Sequence, residues 1–258
     1  MKKRTDILLL LPSLCGFMAF FVVPFFCSFY YAFTENAFST KFVWFDNFIS
    51  LFQNGYFQLA MKNTLIFTAI AVPLIMLMSI LTALLLVHFS KKMHFVESAF
   101  FLPVFLPSAA VIMLWNAFLA EIPPFSSLLI IFLWKYSGLN IVLILTALTG
   151  MNRDVIEAAK IDGANVFRQT WSITLPSIAP TLFFTMILSV VNSLKIFRES
   201  YLLYGNYPEE NVYTLQNYLN NHFAKLNYQN ISTAAIFFAV IVYTVVAVML
   251  RLERNYDQ

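Results

Sequence analysis

Long stretches without a charged side chain limit the fold of this sequence more than any other feature. They cover residues 7–34, 63–90, 98–120, 169–194 and 226–250. A helix crosses the hydrocarbon core of a bilayer, roughly 30 Å thick, with about 20 apolar residues, because in lipid every backbone donor and acceptor must be satisfied within the segment. Each stretch is long enough for one crossing. The chain is therefore predicted to lie mostly within a membrane.

The composition excludes several other classes of protein. Hydrophobic residues make up 60% of the chain and charged residues only 11%, which is unlike a soluble domain or a disordered chain. The net charge of +3 comes from basic residues scattered between apolar stretches, and they form no basic face. Nucleic acid is therefore excluded as a partner, whereas membrane lipid is expected to surround the chain.

A sixth apolar stretch covers residues 128–150 and is interrupted only by Lys135. This lysine lies close enough to one end of the stretch that we expect its ammonium group to reach out to the headgroups. The first stretch is longer than the apolar core of a signal peptide, so we expect it to remain as a span. The sequence thus predicts one membrane domain over residues 1–258, with spans at 7–33, 64–89, 98–120, 128–150, 180–204 and 228–250.

Basic residues outside the spans predict the orientation in the membrane. With the amino terminus inside, the inner side carries Lys2, Lys3, Arg4, Lys91, Lys92, Arg153, Lys160, Arg168, Arg251 and Arg254, and the outer side carries Lys41, Lys62 and Lys225. Loops that face the cytoplasm hold an excess of Lys and Arg. Both termini are therefore predicted to be cytoplasmic.

The longest inner segment, residues 151–179, is too patterned to be a simple connection. Asn152 is suited to cap a short helix that begins at Arg153, and Gly163 can adopt the left-handed conformation that ends such a helix. A second short helix is predicted from Asn165 to Trp171. Two helices joined at a glycine would form a compact projection on the inner surface.

This segment resembles the EAA loop of binding-protein-dependent ABC permeases, and we call residues 151–179 the EAA loop. The family pattern is Glu-Ala-Ala, three residues, Gly, nine residues, Ile, one residue and Leu-Pro. The matching positions here are Glu157, Ala158, Ala159, Gly163, Ile173, Leu175 and Pro176. The resemblance implies an all-α integral membrane fold of the type I ABC importer permease class, with six transmembrane helices and a cytoplasmic coupling helix. The alternative is an ordinary amphipathic helix at the membrane surface.

The resemblance also implies the partners. It predicts a complex with nucleotide-binding ATPase subunits that dock on the EAA loop, a second homologous permease that completes a heterodimer, and an extracytoplasmic solute-binding protein. The complex would lie in a bacterial cell membrane. ATP and magnesium would bind to the ATPase, because this sequence has no Gly-x-x-x-x-Gly-Lys-Ser/Thr phosphate loop. No catalytic residue and no metal site are predicted, since His88, His94 and His222 are widely dispersed.

Other stretches are similar to the sugar-importing branch of that family, which includes permeases for maltose, multiple sugars and glycerol phosphate. They are residues 42–48, Asn63-Thr64-Leu65 and residues 194–203. The last stretch departs from the branch at Arg198, where an acidic residue is usual, and residues 205–208 replace its usual Gly-Gly-Pro. The resemblance implies import of sugars or sugar derivatives. The alternatives are an ABC permease for an osmolyte, a peptide or an anion, and a channel or ion-coupled transporter that works without an ATPase.

Three charged residues are predicted in the outer third of the fifth span: Lys195, Arg198 and Glu199. Charged groups at that depth require partners or water. They would line the mouth of the pathway and contact the hydroxyl groups of a sugar or the binding protein. The alternative is an internal ion pair between Lys195 and Glu199, which are four residues apart.

Overall fold

A computed structural model of the chain describes residues 2–35, 41–87 and 94–256. The elements in these ranges are helices, and the only β pairing there is an isolated bridge between Thr34 and Phe42. The helices are α1 (Lys2–Phe17), α2 (Val23–Ala32), α3 (Asp46–Gln53), α4 (Gly55–Val87), α5 (His94–Phe105), α6 (Ser108–Leu119), α7 (Pro124–Gly150), α8 (Arg153–Ile161), α9 (Val166–Gln169), α10 (Leu175–Ser177), α11 (Ala179–Ser193), α12 (Phe197–Tyr204), α13 (Leu215–Ala224) and α14 (Tyr228–Tyr256). The all-α fold expected from the sequence is thereby confirmed.

Five helical segments in the described part of the chain are long and apolar enough to cross a membrane. They are Leu10–Ala32, Gly55–Val87, Pro124–Gly150, Ala179–Tyr204 and Tyr228–Arg254. A sixth crossing arises if the bent pair α5 and α6 counts as one span. The predicted end of the second span at residues 88–89, like Lys91 and Lys92, lies outside the described residues.

The predicted third span, residues 98–120, is not one straight helix. It consists of Ala99–Phe105 and Ser108–Leu119, which meet at an angle of 108°. Pro107 precedes α6 with extended backbone torsions (ψ 139°). Its ring removes a backbone donor and disfavours helical torsions in the preceding residue, so the helix must break there.

The described residues form two compact units, one of Met1–Gln58 with Tyr218–Tyr243 and one of Leu59–Asn217 with Thr244–Gln258. In the first unit, Asn47 belongs to the stretch that resembles the sugar-importing branch. Its Nδ2 donates hydrogen bonds to the carbonyl oxygens of Ala32 and Thr34, both at 2.9 Å. The carbonyl of Ala32 lies at the end of α2 and that of Thr34 just beyond it, where the helix offers no partner, so Asn47 satisfies both.

In the second unit, Asn63 and Thr64 also make backbone contacts. The Nδ2 of Asn63 donates to the carbonyl oxygen of Tyr213 at 2.9 Å. The hydroxyl of Thr64 accepts from the amide of Leu215 at 2.9 Å. The segment that leads into α13 is therefore held at the start of the second span by a motif that the sequence identified only through a family resemblance.

The core of the second unit is built around α7. Phe132 and Leu128 of α7 pack with Phe67 and Ile75 of α4. Polar side chains join the same helices, since Asn140 of α7 donates to the hydroxyl of Ser189 in α11 at 2.7 Å. Interhelical hydrogen bonds of this kind add to van der Waals packing when helices associate in lipid.

We expect Gly138→Ala to lower the stability of the protein because the backbones of α5 and α7 lie close together there. An added Cβ would overlap the backbone carbonyl of Phe100, which is not a flexible group. Overpacking of this kind costs about 1–3 kcal/mol. Gly150→Ala in the same helix is the matched control, because nothing lies within 4 Å of its added Cβ. Melting of both purified variants in detergent tests this, and equal melting temperatures would contradict the close packing.

Candidate functional site

The first half of the EAA loop is a short helix, α8, with a defined start and end. The side chain of Asn152 accepts a hydrogen bond from the amide of Asp154 at 2.9 Å, which confirms the predicted cap. Gly163 has φ +81°, so the predicted left-handed conformation is also confirmed. The amide of Gly163 donates to Lys160 O at 3.1 Å, and the amide of Ala164 donates to Ala159 O at 2.9 Å. This pair of bonds is a Schellman motif, which fixes the turn through the backbone alone.

The second half of the loop differs from the single helix predicted over Asn165–Trp171. Asn165 caps α9 by accepting from the amide of Arg168 at 2.8 Å, but α9 ends at Gln169. A π-helical turn, Thr170–Thr174, follows it. Pro176 has no N–H to donate to the carbonyl four residues earlier, so a regular α-helical ladder cannot continue through this stretch.

The EAA loop presents apolar side chains to its surroundings. Ile161 is 88% exposed, Phe167 74% and Trp171 67%, and the last two rings stack with 6.2 Å between centroids. Such a patch on a surface marks an interaction site. Among the motif residues, Glu157, Ala158 and Gly163 are exposed, whereas Ala159, Ile173, Leu175 and Pro176 are partly buried. The Glu-Ala-Ala half of the motif is thus open to a partner, and the Leu-Pro half packs towards the helices.

The second unit also contains a buried cluster of charged side chains. The Nζ of Lys135 is 2.5 Å from Oε1 of Glu199 and 3.0 Å from the hydroxyl of Ser108. That hydroxyl donates to the same carboxylate oxygen at 2.7 Å. Lys135 is 6% exposed and Glu199 is 1% exposed. The prediction that Lys135 reaches out to the headgroups is therefore wrong, because it turns inward to a counter-charge.

The predicted alternative, an ion pair between Lys195 and Glu199, is also wrong, because the carboxylate pairs with Lys135. A pairing four residues apart requires a continuous helix. Here α11 ends at Ser193 and α12 begins at Phe197, with a turn between them. This turn leaves Lys195 and Arg198 exposed while Glu199 points inward.

A cavity of about 450 Å³ adjoins this cluster, and we call it the outer cavity because three of its charged residues belong to the part of the fifth span that the sequence predicts to be outermost. Its lining is mainly polar. It is lined by Ser108, Lys135, Tyr136, Lys195, Phe197, Arg198, Glu199 and Gln216. All three charged residues predicted near the pathway mouth are among them. Sequence reasoning missed Ser108, Lys135, Tyr136 and Gln216. Of these, only Lys135 gave a signal, as the sole charged residue in its apolar stretch.

No group of three His, Cys, Asp or Glu side chains in the described residues is arranged to hold a metal ion. Within the described residues, the EAA loop and the outer cavity have features of a functional site. The first is an exposed protein surface, and the second is a polar recess between helices.

The sequence matches a known protein family over most of its length. Residues 63–258 match the family described as binding-protein-dependent transport system inner membrane component. A probable ABC transporter permease protein, MG188 of Mycoplasma genitalium, is 30% identical over 234 residues, which cover 80% of this chain and 70% of that protein. The arabinooligosaccharides transport system permease protein AraP of Bacillus subtilis is 26% identical, with 84% of this chain and 78% of that protein covered.

A solved structure shares the fold. It is a chain of a bacterial alginate ABC transporter in complex with an alginate pentasaccharide-bound periplasmic protein. The TM-score is 0.77 at 24% identity, and the superposition covers 98% of this chain and 96% of that one. The arrangement of helices described above is thus that of an ABC transporter permease.

Proposed function

The chain belongs to the family of binding-protein-dependent transport system inner membrane components, and from this premise we propose that it is a permease subunit of an ATP-driven importer of sugars or sugar derivatives. Proteins of this family are the membrane components of transport systems. The hydrolysis of ATP, with its magnesium ion, takes place in a separate ATPase subunit. The observation that carries the proposal is the EAA loop, an exposed and rigidly turned pair of helices with the complete family motif.

The EAA loop is the surface on which the ATPase docks. Its exposed apolar residues, among them Ile161 and Phe167, would lose their contact with water when a partner covers them. The exposed carboxylate of Glu157 offers a charge to the same partner. Because the Schellman turn at Gly163 fixes α8 against α9, a movement of the ATPase is transmitted to α11 instead of being lost in a flexible connection.

Transport by this subunit requires no chemical step of its own. The spans open alternately to the two sides of the membrane while ATP is hydrolysed elsewhere. A second homologous permease completes the wall of the pathway as a heterodimer, and a solute-binding protein delivers the solute from outside. The EAA loop and both termini then face the cytoplasm, in agreement with the excess of Lys and Arg on that side.

Support for a sugar comes from the relatives. AraP is named for arabinooligosaccharides, and the transporter of similar fold was solved with a bound alginate oligosaccharide on its periplasmic protein. Lys195, Arg198 and Glu199 in the outer cavity are the proposed contacts of this chain along the pathway. The cavity volume lies within the range of about 300–1,000 Å³ that is usual for small-molecule sites.

Uptake by the reconstituted complex tests this function. We expect proteoliposomes that contain this chain, its partner permease and the ATPase to accumulate radiolabelled oligosaccharides only with ATP inside and the binding protein outside. The readout is the initial rate of uptake. A control with a non-hydrolysable ATP analogue should show none. Uptake that follows an ion gradient without ATP would contradict an ATP-driven importer, and ATP-driven uptake of amino acids or osmolytes alone would contradict a sugar.

A further inference from the structure

The outer cavity has an excess of positive charge at its opening. Lys135 and Glu199 neutralise each other inside it. Lys195 and Arg198 are exposed, and neither forms an ion pair with another residue in the described part of the chain. Two cations without counter-charges at the mouth of a recess, with low-dielectric walls around it, attract anions.

One of the residues that line the cavity, Glu199, has a buried acceptor without a donor. Oε1 of Glu199 accepts from Lys135 and Ser108, but its Oε2 is buried and has no hydrogen-bond partner within the described residues. An unsatisfied buried acceptor costs about 1–3 kcal/mol, and more when it is charged. A hydroxyl group of a ligand would satisfy it, because a hydroxyl can donate.

The remaining lining residues fit a hydroxylated ring. Tyr136 and Phe197, which carry aromatic rings, line the cavity, as does Gln216, whose amide both donates and accepts. Polar groups that fix orientation, placed beside some apolar surface, are features of a small-molecule site, and in this cavity the polar groups predominate. The cavity thus offers contacts to a ring, to hydroxyl groups and to a negative charge.

We infer that the outer cavity binds an acidic sugar, a hydroxylated solute that carries a carboxylate or a phosphate. Lys195 and Arg198 bind the anionic group, and Oε2 of Glu199 accepts a hydrogen bond from a hydroxyl. Arg198 is suited to either anion, since its guanidinium can donate two parallel hydrogen bonds. The inference rests on the proposed function and narrows its substrate class to anionic sugars.

Uptake of charged and neutral sugars by the same proteoliposomes tests this inference. The probes are a radiolabelled uronate trisaccharide, glycerol 3-phosphate and neutral maltotriose, and the variants are Lys195→Gln and Arg198→Gln. Each variant should lower uptake of at least one acidic probe about tenfold, the loss expected from one charge-assisted hydrogen bond. Co-purification of each variant with the partner permease and the ATPase in detergent checks that the complex still assembles. Lys225→Gln, an exposed cation that does not line the cavity, is the matched control and should transport like the parent.

The other possible results of this assay distinguish a failure of the inference from a failure of the proposed function. If the parent complex takes up only maltotriose, or if both variants carry the acidic probes at the parental rate, the inference is overturned while the proposed function stands. If the parent accumulates no sugar with ATP, the proposed function itself fails. Repeating the assay in liposomes of phosphatidylcholine alone separates the solute from a lipid phosphate. An effect of the variants that appears only with phosphatidylglycerol present would assign the two cations to a headgroup and overturn the inference.

Discussion

Replacement of Gly163 by proline is expected to abolish uptake while the membrane-spanning helices stay folded. Gly163 has φ +81°, and its amide donates to the carbonyl of Lys160. Proline fixes φ at about −65° and has no N–H, so the turn between α8 and α9 cannot form. A cost of about 3 kcal/mol reduces the population of loops able to dock by roughly 100-fold. The measurements are the uptake rate in proteoliposomes and co-purification of the ATPase in detergent.

Two further substitutions separate the shape of the EAA loop from its charge. Gly163→Asn should retain most of the activity, because asparagine tolerates the left-handed conformation and nothing lies within 4 Å of the added Cβ. Glu157→Lys changes an exposed side chain without disturbing the turn, and we expect it to weaken the association with the ATPase. Normal association of both Gly163→Pro and Glu157→Lys would remove the docking role of the loop.

Removal of one partner of the buried ion pair is expected to cause the largest loss of stability. Glu199→Ala leaves the ammonium group of Lys135 buried without a counter-charge, and Lys135→Ala leaves the carboxylate in the same condition. Breaking a buried pair in this way costs about 3–5 kcal/mol. Thermal unfolding of the purified protein in detergent, followed by size-exclusion chromatography, measures the change.

The double variant Lys135→Met with Glu199→Gln is the control for this experiment. It removes both charges, and the glutamine can still accept from the hydroxyl of Ser108. Replacement of a whole buried pair by groups of similar volume is often close to neutral, so the double variant should melt near the parent and above both single variants. Single variants as stable as the parent would show that water reaches the pair and solvates the remaining charge.

The sequence was most informative wherever a local rule determined the structure. Charge-free stretches predicted the membrane helices, because lipid excludes both charges and unsatisfied backbone groups. The start of α8 at Asn152 and its end at Gly163 followed from capping chemistry within a few residues. These features depend on neighbours along the chain, and a single sequence contains that information.

The errors at the buried charged cluster concern contacts between distant segments. Lys135 and Glu199 are 64 residues apart, so no spacing rule pairs them. The rule that did apply paired Lys195 with Glu199, and it failed because the helix is interrupted between Ser193 and Phe197. The bend before Ser108 likewise brings a hydroxyl to the ion pair, and the third apolar stretch gave no sign of that contact.

The turn at Gly163 keeps its shape independently of the exposed side chains of α8. Its hydrogen bonds join main-chain atoms only, so the side chains of Val155 and Ile161, which lie outside the family pattern, take no part in holding it. These positions are then free to diverge, or to be exchanged in the laboratory, without refolding the segment. If the proposed docking of the ATPase on the EAA loop holds, replacing these side chains by those of a related permease should change which ATPase binds, with the fold of the loop unchanged.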